Sequence, residues 1–206
     1  NPPLANYLPM AAECAKRGFY ALRMGELVGE PLPAGLHPNI IDYASKFRAP
    51  FGDVYLLGTC KFVVAGGSGL YWIAGAFNRP AVWTDSYPLE MRPLRPVDLF
   101  IPKKLWVISE KRFLSFREMI ESGMRYYYES KCRSDGIELI HNTPEEICAV
   151  VEETCRRLDG TWVSGREDEE LQRRFDALYL PKHSGYGMPG RIGAQFLRDH
   201  KGLLEG

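Results

Sequence analysis

The stretch KFVVAGGSGLYWIAGAFNRPAVW, residues 61–83, decides the fold class of this 206-residue chain. It opens with an apolar run that predicts a buried strand, and the run ends in the Gly-rich turn 66–69. Residues 70–77 predict a helix, 78–80 a turn and 81–83 a second strand. A strand, a crossover helix and a further strand in this order indicate parallel strands with a helix packed on the sheet.

The residues before this stretch continue the alternation. An apolar stripe with helical spacing predicts a helix over 4–17, and short apolar runs predict strands over 19–24 and 39–43. Asp53 is expected to cap or open a short helix over 54–59. The sequence therefore predicts an α/β fold, a Rossmann-like parallel sheet flanked by helices, in one domain spanning residues 1–206.

The second half of the chain predicts mostly helices. Residues 85–112 are rich in proline and are expected to form an ordered, irregular loop. Thr143 as N-cap, Pro144 at the first helical position and Glu146 two residues later predict a capped helix that ends near Asp159. The remaining predicted elements are a helix at 115–122, a strand at 137–140 and helices near 167–180 and 191–204.

Composition excludes several classes of protein. The 26 basic and 26 acidic residues give zero formal charge, which argues against a nucleic-acid partner. The sequence contains no run of 18 apolar residues, so it predicts no membrane span. The five cysteines contain no CxxC pair and the four histidines are scattered, so we expect free thiols in a reducing cytoplasm and no metal site.

The turn Gly66-Gly67-Ser68-Gly69 is the candidate ligand site. Glycines let the backbone approach a ligand, and the amino end of the following helix favours a phosphate or diphosphate. The sequence has neither the GxxxxGK[ST] nor the GxGxxG pattern here, which disfavours Walker-type nucleotidases and dinucleotide dehydrogenases. A tight turn with a serine cap and no ligand is the alternative.

The layout from residue 40 to residue 82 resembles the nucleotide-sugar half of GT-B glycosyltransferases, heptosyltransferases among them, although Gly67 stands where those enzymes have Asp. Nearly the whole chain resembles a family of bacterial glycosyltransferases from surface-polysaccharide gene neighbourhoods. The resemblance lies in ordered blocks, at residues 7–8, 17–20, 23–25, 41–44, 60–62, 67–70, 99–106, 112–114, 142–146, 160–162, 169–175 and 191–194.

This resemblance implies the donor-binding, C-terminal half of a GT-B enzyme. An acceptor-binding N-terminal half would precede residue 1, and the helices within 167–206 would pack against it. The donor would be a nucleotide-diphosphate sugar bound as substrate, with no cofactor and no metal. The acceptor would be a glycan or a lipid-linked glycan, which places the enzyme in the cytoplasm or peripherally at the inner face of the membrane.

The residues expected to contact the donor or its diphosphate are Arg23, Gly25, Gly66, Gly67, Ser68, Gly69, Leu70, Lys103 and Lys104. Arg23 would contact phosphate or base, and a surface ion pair is its alternative role. The two lysines would act as point charges on the diphosphate, and a solvated charge pair is their alternative. No catalytic residue is assigned. Two other functions stay open: a non-catalytic nucleotide-sugar-binding module, and a nucleotide-sugar epimerase of the same fold.

Overall fold

The computed structural model describes residues 3–66, 69–124 and 129–205. A 3-10 helix, Leu4–Tyr7, leads into α1, and another, Lys201–Leu204, follows α9. The α-helices are α1 Leu8–Lys16, α2 Tyr43–Lys46, α3 Pro50–Thr59, α4 Leu70–Ala76, α5 Phe116–Glu121, α6 Glu129–Ser134, α7 Pro144–Leu158, α8 Arg166–Asp176 and α9 Ala194–Asp199. The strands are β1 Ala21–Leu22, β2 Ile40–Ile41, β3 Val63–Ala65, β4 Ala81–Ser86, β5 Leu99–Pro102, β6 Lys104–Val107, β7 Arg112–Phe113, β8 Ile137–Ile140 and β9 Arg191–Ile192.

A parallel four-stranded sheet in the order β3-β4-β5-β9 forms the centre of the molecule. β1 and β2 form a separate parallel pair, so the predicted parallel strands fall into two sheets. The ring of Phe19, just before β1, packs edge-on against Phe62, just before β3, with centroids 6.2 Å apart. The α/β class is therefore confirmed, and the helix-flanked parallel sheet is consistent with a Rossmann-like fold.

The main apolar core lies between the sheet and the helices α1, α7, α8 and α9. Phe100 of β5, Ile147 of α7 and Phe175 of α8 are each fully buried there. Helix α7 packs on β4 and β5, and α1 and α9 both pack on α7. A smaller cluster of Ala65, Tyr71 and Ala81 joins α4 to β3 and β4. The C-terminal helices are thus part of this core, and any contact with a further half of the protein would use their exposed faces.

Helix α7 follows the local signals closely. Thr143 accepts a hydrogen bond from the amide of Glu146, and the Glu146 carboxylate accepts one from the amide of Thr143, which completes the capping box. Pro144 occupies the first position of the helix, as predicted. Gly160, with φ of 69°, adopts the left-handed conformation that ends the helix.

The loop prediction for residues 85–112 is wrong in part, because β5, β6 and the start of β7 lie within it. β6 pairs antiparallel with both β7 and β8 in a third sheet that the sequence did not predict. Pro102 and the adjacent lysine pair, residues 103–104, resemble loop sequence, yet Lys104 already belongs to β6. These strands form because distant partners supply their hydrogen bonds, which local sequence does not encode.

The bounds of four other elements differ from prediction. Helix α3 begins at Pro50 with Ala49 as its cap, and Asp53 lies inside its first turn, where it accepts a hydrogen bond from Arg48 at 3.1 Å. Residues 191–192 form strand β9 and do not open the last helix. The predicted strands at 19–24 and 39–43 contract to two residues each, and Tyr43 starts α2 after Asp42 caps it.

Hydrogen bonds and ion pairs of buried side chains hold the segment between β4 and β5 in place. Arg92, buried over the ring of Tyr179 at 4.9 Å, donates to the carbonyl oxygen of Gly190 at 2.6 Å and pairs with Asp176 at 2.7 Å. Asp98, fully buried, accepts from the amide of Ala81 at 2.8 Å and pairs with Arg95. These contacts fix the path of the chain from the end of β4 to the start of β5.

Candidate functional site

The carboxyl ends of β3, β4, β5 and β9 meet at one edge of the parallel sheet, hereafter the carboxyl edge. Gly66 follows β3, Ser86 ends β4 and Lys103 follows β5. The amide of Lys103 donates to the carbonyl oxygen of Ser86 at 3.1 Å, so the ends of the two strands lie side by side. In open α/β sheets, ligands bind outside this edge.

Gly66 and Gly69, the described residues of the Gly-rich turn, lie at the carboxyl edge between β3 and α4. Gly66 is half-buried, Gly69 is exposed directly before α4, and Leu70 is the first residue of that helix. A methyl group added at Gly69 would meet no atom within 4 Å, so open space surrounds that position. Gly67 and Ser68 lie outside the described residues. The predicted diphosphate contacts at these two positions therefore stay predictions.

Arg23 follows β1, and its guanidinium group interacts with other residues of the chain. Its Nη1 donates to the carbonyl oxygen of Glu30 at 2.6 Å and lies 3.6 Å from Oδ2 of Asp42. Burial would raise the pKa of Asp42, but hydrogen bonds from the amide of Leu32 and from Ser45, with the charge of Arg23, hold it below its usual range. Arg23 therefore organises the loop after β1. Gly25, with φ of 136°, supplies a turn there that other residues rarely adopt.

The two predicted lysines have different environments. Lys104 is buried, and its Nζ lies 2.5 Å from Oε1 of Glu146, while Nε2 of His200 lies 2.6 Å from the same oxygen. Burial would raise the pKa of Glu146, but hydrogen bonds from His200, Lys104 and the amide of Thr143 outweigh burial and lower the pKa to about 2. The charge of Lys104 is thus compensated by Glu146 inside the protein.

Lys103 is half-buried at the carboxyl edge. In the part of the chain that the structure describes, no carboxylate lies within 4.0 Å of its ammonium group. Of the three cations predicted to bind the donor, Arg23 and Lys104 pair with Asp42 and Glu146. Lys103 is the one whose charge these described residues leave uncompensated.

A buried polar cluster beside Lys103 was missed by the sequence reasoning. The amide of Asn142 donates to Oδ1 of Asp85 at 2.8 Å, and the amide of Asp85 donates to Oδ1 of Asn142 at 2.5 Å. The Asn142 side chain also donates to the carbonyl oxygen of Pro102 at 2.9 Å, which joins it to the end of β5. We call Tyr7, Thr84, Asp85, His141 and Asn142 the Asp85 cluster.

Asp85 is unusual in its backbone as well as its burial. Its φ of 50° lies in the left-handed region, which costs free energy for a residue other than glycine and often marks functional positions. Nδ1 of His141 lies 3.2 Å from its Oδ1, and the hydroxyl of Tyr7 lies 2.8 Å from Oγ1 of Thr84. Burial raises the pKa of Tyr7 to about 12. An imidazole beside a buried carboxylate is suited to proton transfer.

The only local sign of this cluster is an aspartate at the end of an apolar strand sequence. Asp85 and Asn142 are 57 positions apart, so no short motif joins them. Within residues 3–66, 69–124 and 129–205, no group of three or more His, Cys, Asp or Glu is arranged to hold a metal ion. None of the helices in those ranges combines the length and apolar character that crossing a bilayer requires.

Comparisons with protein-family models, with curated proteins and with solved structures found no match to this chain.

Proposed function

We propose that the chain is the donor-binding part of a glycosyltransferase. It would bind a nucleotide-diphosphate sugar at the carboxyl edge and transfer the sugar to a glycan or lipid-linked acceptor. The resemblance in ordered sequence blocks suggests the reaction, and the helix-flanked parallel sheet is an architecture in which such donors bind. Displacement at the anomeric carbon would release the nucleotide diphosphate, whose negative charge needs compensation at the site.

Lys103 is the observation that carries this proposal. Lys103 is half-buried at the carboxyl edge and has no carboxylate within 4.0 Å among the described residues, so an anionic ligand bound there would compensate its charge. Gly66 and Gly69, the described residues of the Gly-rich turn, lie at the same edge, with open space around Gly69. The amino end of a helix adds a partial positive charge there. We therefore assign Lys103 to the diphosphate and Arg23 and Lys104 to structural roles.

A nucleotide-sugar epimerase is the second candidate, and the Asp85–His141 pair is the observation that favours it. Epimerisation needs groups that remove and return a proton, and His141 lies 3.2 Å from a buried carboxylate. In the transferase, the same pair would accept the proton of the acceptor hydroxyl. The two reactions differ in product: a transferase releases nucleotide only with an acceptor, whereas an epimerase converts one nucleotide sugar to another.

Isothermal titration calorimetry with UDP-, GDP-, CMP- and ADP-sugars tests the binding proposal. One donor should bind, and Lys103→Gln should weaken its binding roughly tenfold to 100-fold, because a charge-assisted contact contributes roughly 1.5–3 kcal/mol. Lys182→Gln is the matched control, since Lys182 is exposed in the loop after α8. Absence of binding to every donor, or equal affinities for the two variants, would contradict the proposal.

Turnover is measured separately on any donor that binds. Nucleotide release that depends on an added glycan or lipid-linked acceptor supports the transferase, and a new nucleotide sugar without acceptor supports the epimerase. Binding without either product in the complete protein would support a non-catalytic binding module. His141→Gln should abolish turnover in both enzymes while leaving donor affinity within about twofold, because the imidazole would act on protons and not on the diphosphate.

A further inference from the structure

Three of the five cysteines converge on the interface between α1 and α7. Cys14 lies on α1, and Cys148 and Cys155 lie on one face of α7, two turns apart. All three line a cavity of about 230 Å³, whose charged lining includes Glu13, Arg17 and Glu152. All five cysteines are free thiols.

Cys14 and Cys155 interact directly. Both thiols line the same cavity between α1 and α7 and interact electrostatically, and both residues are buried. Interaction with the thiol of Cys14 lowers the pKa of Cys155 below its ordinary value, with help from the charge of Arg17, although burial acts in the opposite direction. The pKa of Cys14 moves in the opposite direction, because its interaction with Cys155 and its burial both raise it. One thiol is thus disposed to ionise beside a second that keeps its proton.

The other two cysteines, Cys60 and Cys132, do not line this cavity. Cys60 donates to the carbonyl oxygen of Leu57 at 3.3 Å, and Cys132 lies 3.2 Å from the hydroxyl of Tyr87. Arg17 and Glu152 form an ion pair at 3.7 Å between α1 and α7, and their side chains are 41% and 53% exposed. The cavity is therefore bordered by solvent-exposed groups, which gives a small polar oxidant a route to the thiols.

We propose that Cys14 and Cys155 form a redox pair that closes into a disulfide between α1 and α7 when hydrogen peroxide enters the cavity. The thiolate of Cys155 attacks one oxygen of the peroxide, the O–O bond breaks, and Cys155 becomes a sulfenic acid. The departing hydroxide takes up the proton that the Cys155 thiol had released and leaves as the first water. The sulfur of Cys14 then attacks the sulfenic sulfur, and its proton leaves with the hydroxyl group as a second water. The two thiols lose two electrons and the peroxide gains them.

This bond would act on the candidate site through α1 and α7. Tyr7, directly before α1, contacts Thr84 of the Asp85 cluster, and Asn142 lies just before α7. A covalent link between the two helices would fix these two parts of the cluster relative to each other. The pair itself does not depend on the proposed function.

The test treats the reduced full chain with hydrogen peroxide and maps the products by mass spectrometry. The wild-type protein should lose two hydrogen atoms and yield a Cys14–Cys155 linked peptide that dithiothreitol cleaves. Its thermal midpoint should rise by roughly 5–10 °C, since the link closes a long loop. Cys14→Ser should leave a sulfenic acid at Cys155 that dimedone traps, whereas Cys155→Ser should abolish both products.

Cys60→Ser is the control, and it should form the linked peptide as the wild-type protein does. A disulfide from Cys155 to Cys148, equal oxidation of all five thiols, or no reaction with excess peroxide would overturn the proposal. Far-UV circular dichroism establishes that each variant is folded. The wild-type peptide map and thermal shift decide the question even if a variant does not fold.

Discussion

One carboxylate, that of Glu146, joins three parts of the chain. Lys104 of β6 and His200 after α9 both lie within 2.6 Å of its Oε1, and the amide of Thr143 donates to its Oε2 at 2.9 Å. The sequence indicates Glu146 only as the second member of a capping box. Its partners are 42 and 54 positions away, so the burial of Lys104 as an ion pair was not predictable from either neighbourhood.

Glu146→Gln should reduce the free energy of unfolding at pH 7 by about 3 kcal/mol, because the pKa of Glu146 falls from 4.5 to about 2 on folding. A lowered carboxyl pKa stabilises the protein above pH 4.5, and that stability is lost as the pH falls toward 2. The variant should therefore show a flatter pH dependence across this window. Urea denaturation at several pH values measures both effects.

Glu145→Gln is the matched control for this experiment, because the neighbouring Glu145 is exposed in the same first turn of α7. Its stability should stay within about 0.5 kcal/mol of wild type. Equal losses in the two variants would show that the ion pair with Lys104 and His200 adds nothing beyond a charge at the amino end of the helix.

Asp85 combines a left-handed backbone with a buried carboxylate. Asp85→Ala should cost about 3 kcal/mol, because it keeps the strained φ and leaves the amide of Asn142 without its buried acceptor. Asp85→Asn should cost about 1 kcal/mol, since asparagine tolerates the left-handed region and keeps an acceptor oxygen. Chemical denaturation orders the variants, and a greater loss in the asparagine variant would contradict this explanation.

At the scale of elements, helix ends were predictable where the capping side chain acts within a few residues. The box at α7 was indicated by Thr143 and Glu146, which are three positions apart. At α5 the structure shows the same arrangement of Ser115 and Glu118, which the sequence analysis did not identify. Helix α3 was placed too late because Asp53 resembled a cap, whereas Pro50 already opens the helix. Strands β5, β6 and β9 were missed because their hydrogen-bonding partners are distant in sequence.

Thr143→Ala should destabilise the protein by about 1 kcal/mol, through loss of the hydrogen bond that its side chain accepts from the amide of Glu146. Thr161→Ala serves as the control, since Thr161 is exposed beyond the end of α7 and its hydroxyl donates only a long bond, at 3.3 Å. Thermal unfolding followed by circular dichroism compares them. If both variants unfold like wild type, α7 does not depend on its cap.

At the scale of the whole molecule, the C-terminal residues complete the sheet. The amide of Gly193 donates to the carbonyl oxygen of Phe100 at 2.9 Å, so β9 is tied to β5. A methyl group at Gly193 would lie 3.1 Å from Ile101 and 3.2 Å from Val150, which shows how closely β9 approaches α7. The predicted packing of residues 167–206 on another half of the protein stays a prediction, beside this contribution to the chain's own core.

Truncation after Pro181 should therefore abolish cooperative unfolding, because it removes β9 and the buried residues of α9. A milder variant, Phe196→Ala, should cost about 3–5 kcal/mol, since Phe196 is 2% exposed. Phe51→Ala removes an equal side chain that is 78% exposed and should be nearly neutral. Denaturant titration compares all three proteins, and cooperative unfolding of the truncated chain would contradict the role of β9 in the fold.

The sequence by itself determined the α/β class, the strand–helix–strand unit around the Gly-rich turn, and the cap of α7. These features depend on hydrogen bonds and apolar spacing within a few residues, so a local stretch encodes them. Tertiary structure alone decided that Arg23 and Lys104 are paired, whereas Lys103 has no carboxylate partner among the described residues, and that Asp85 meets Asn142 and His141. Such pairings exist only once distant segments are packed, because a charge's partner is set by the folded path of the chain.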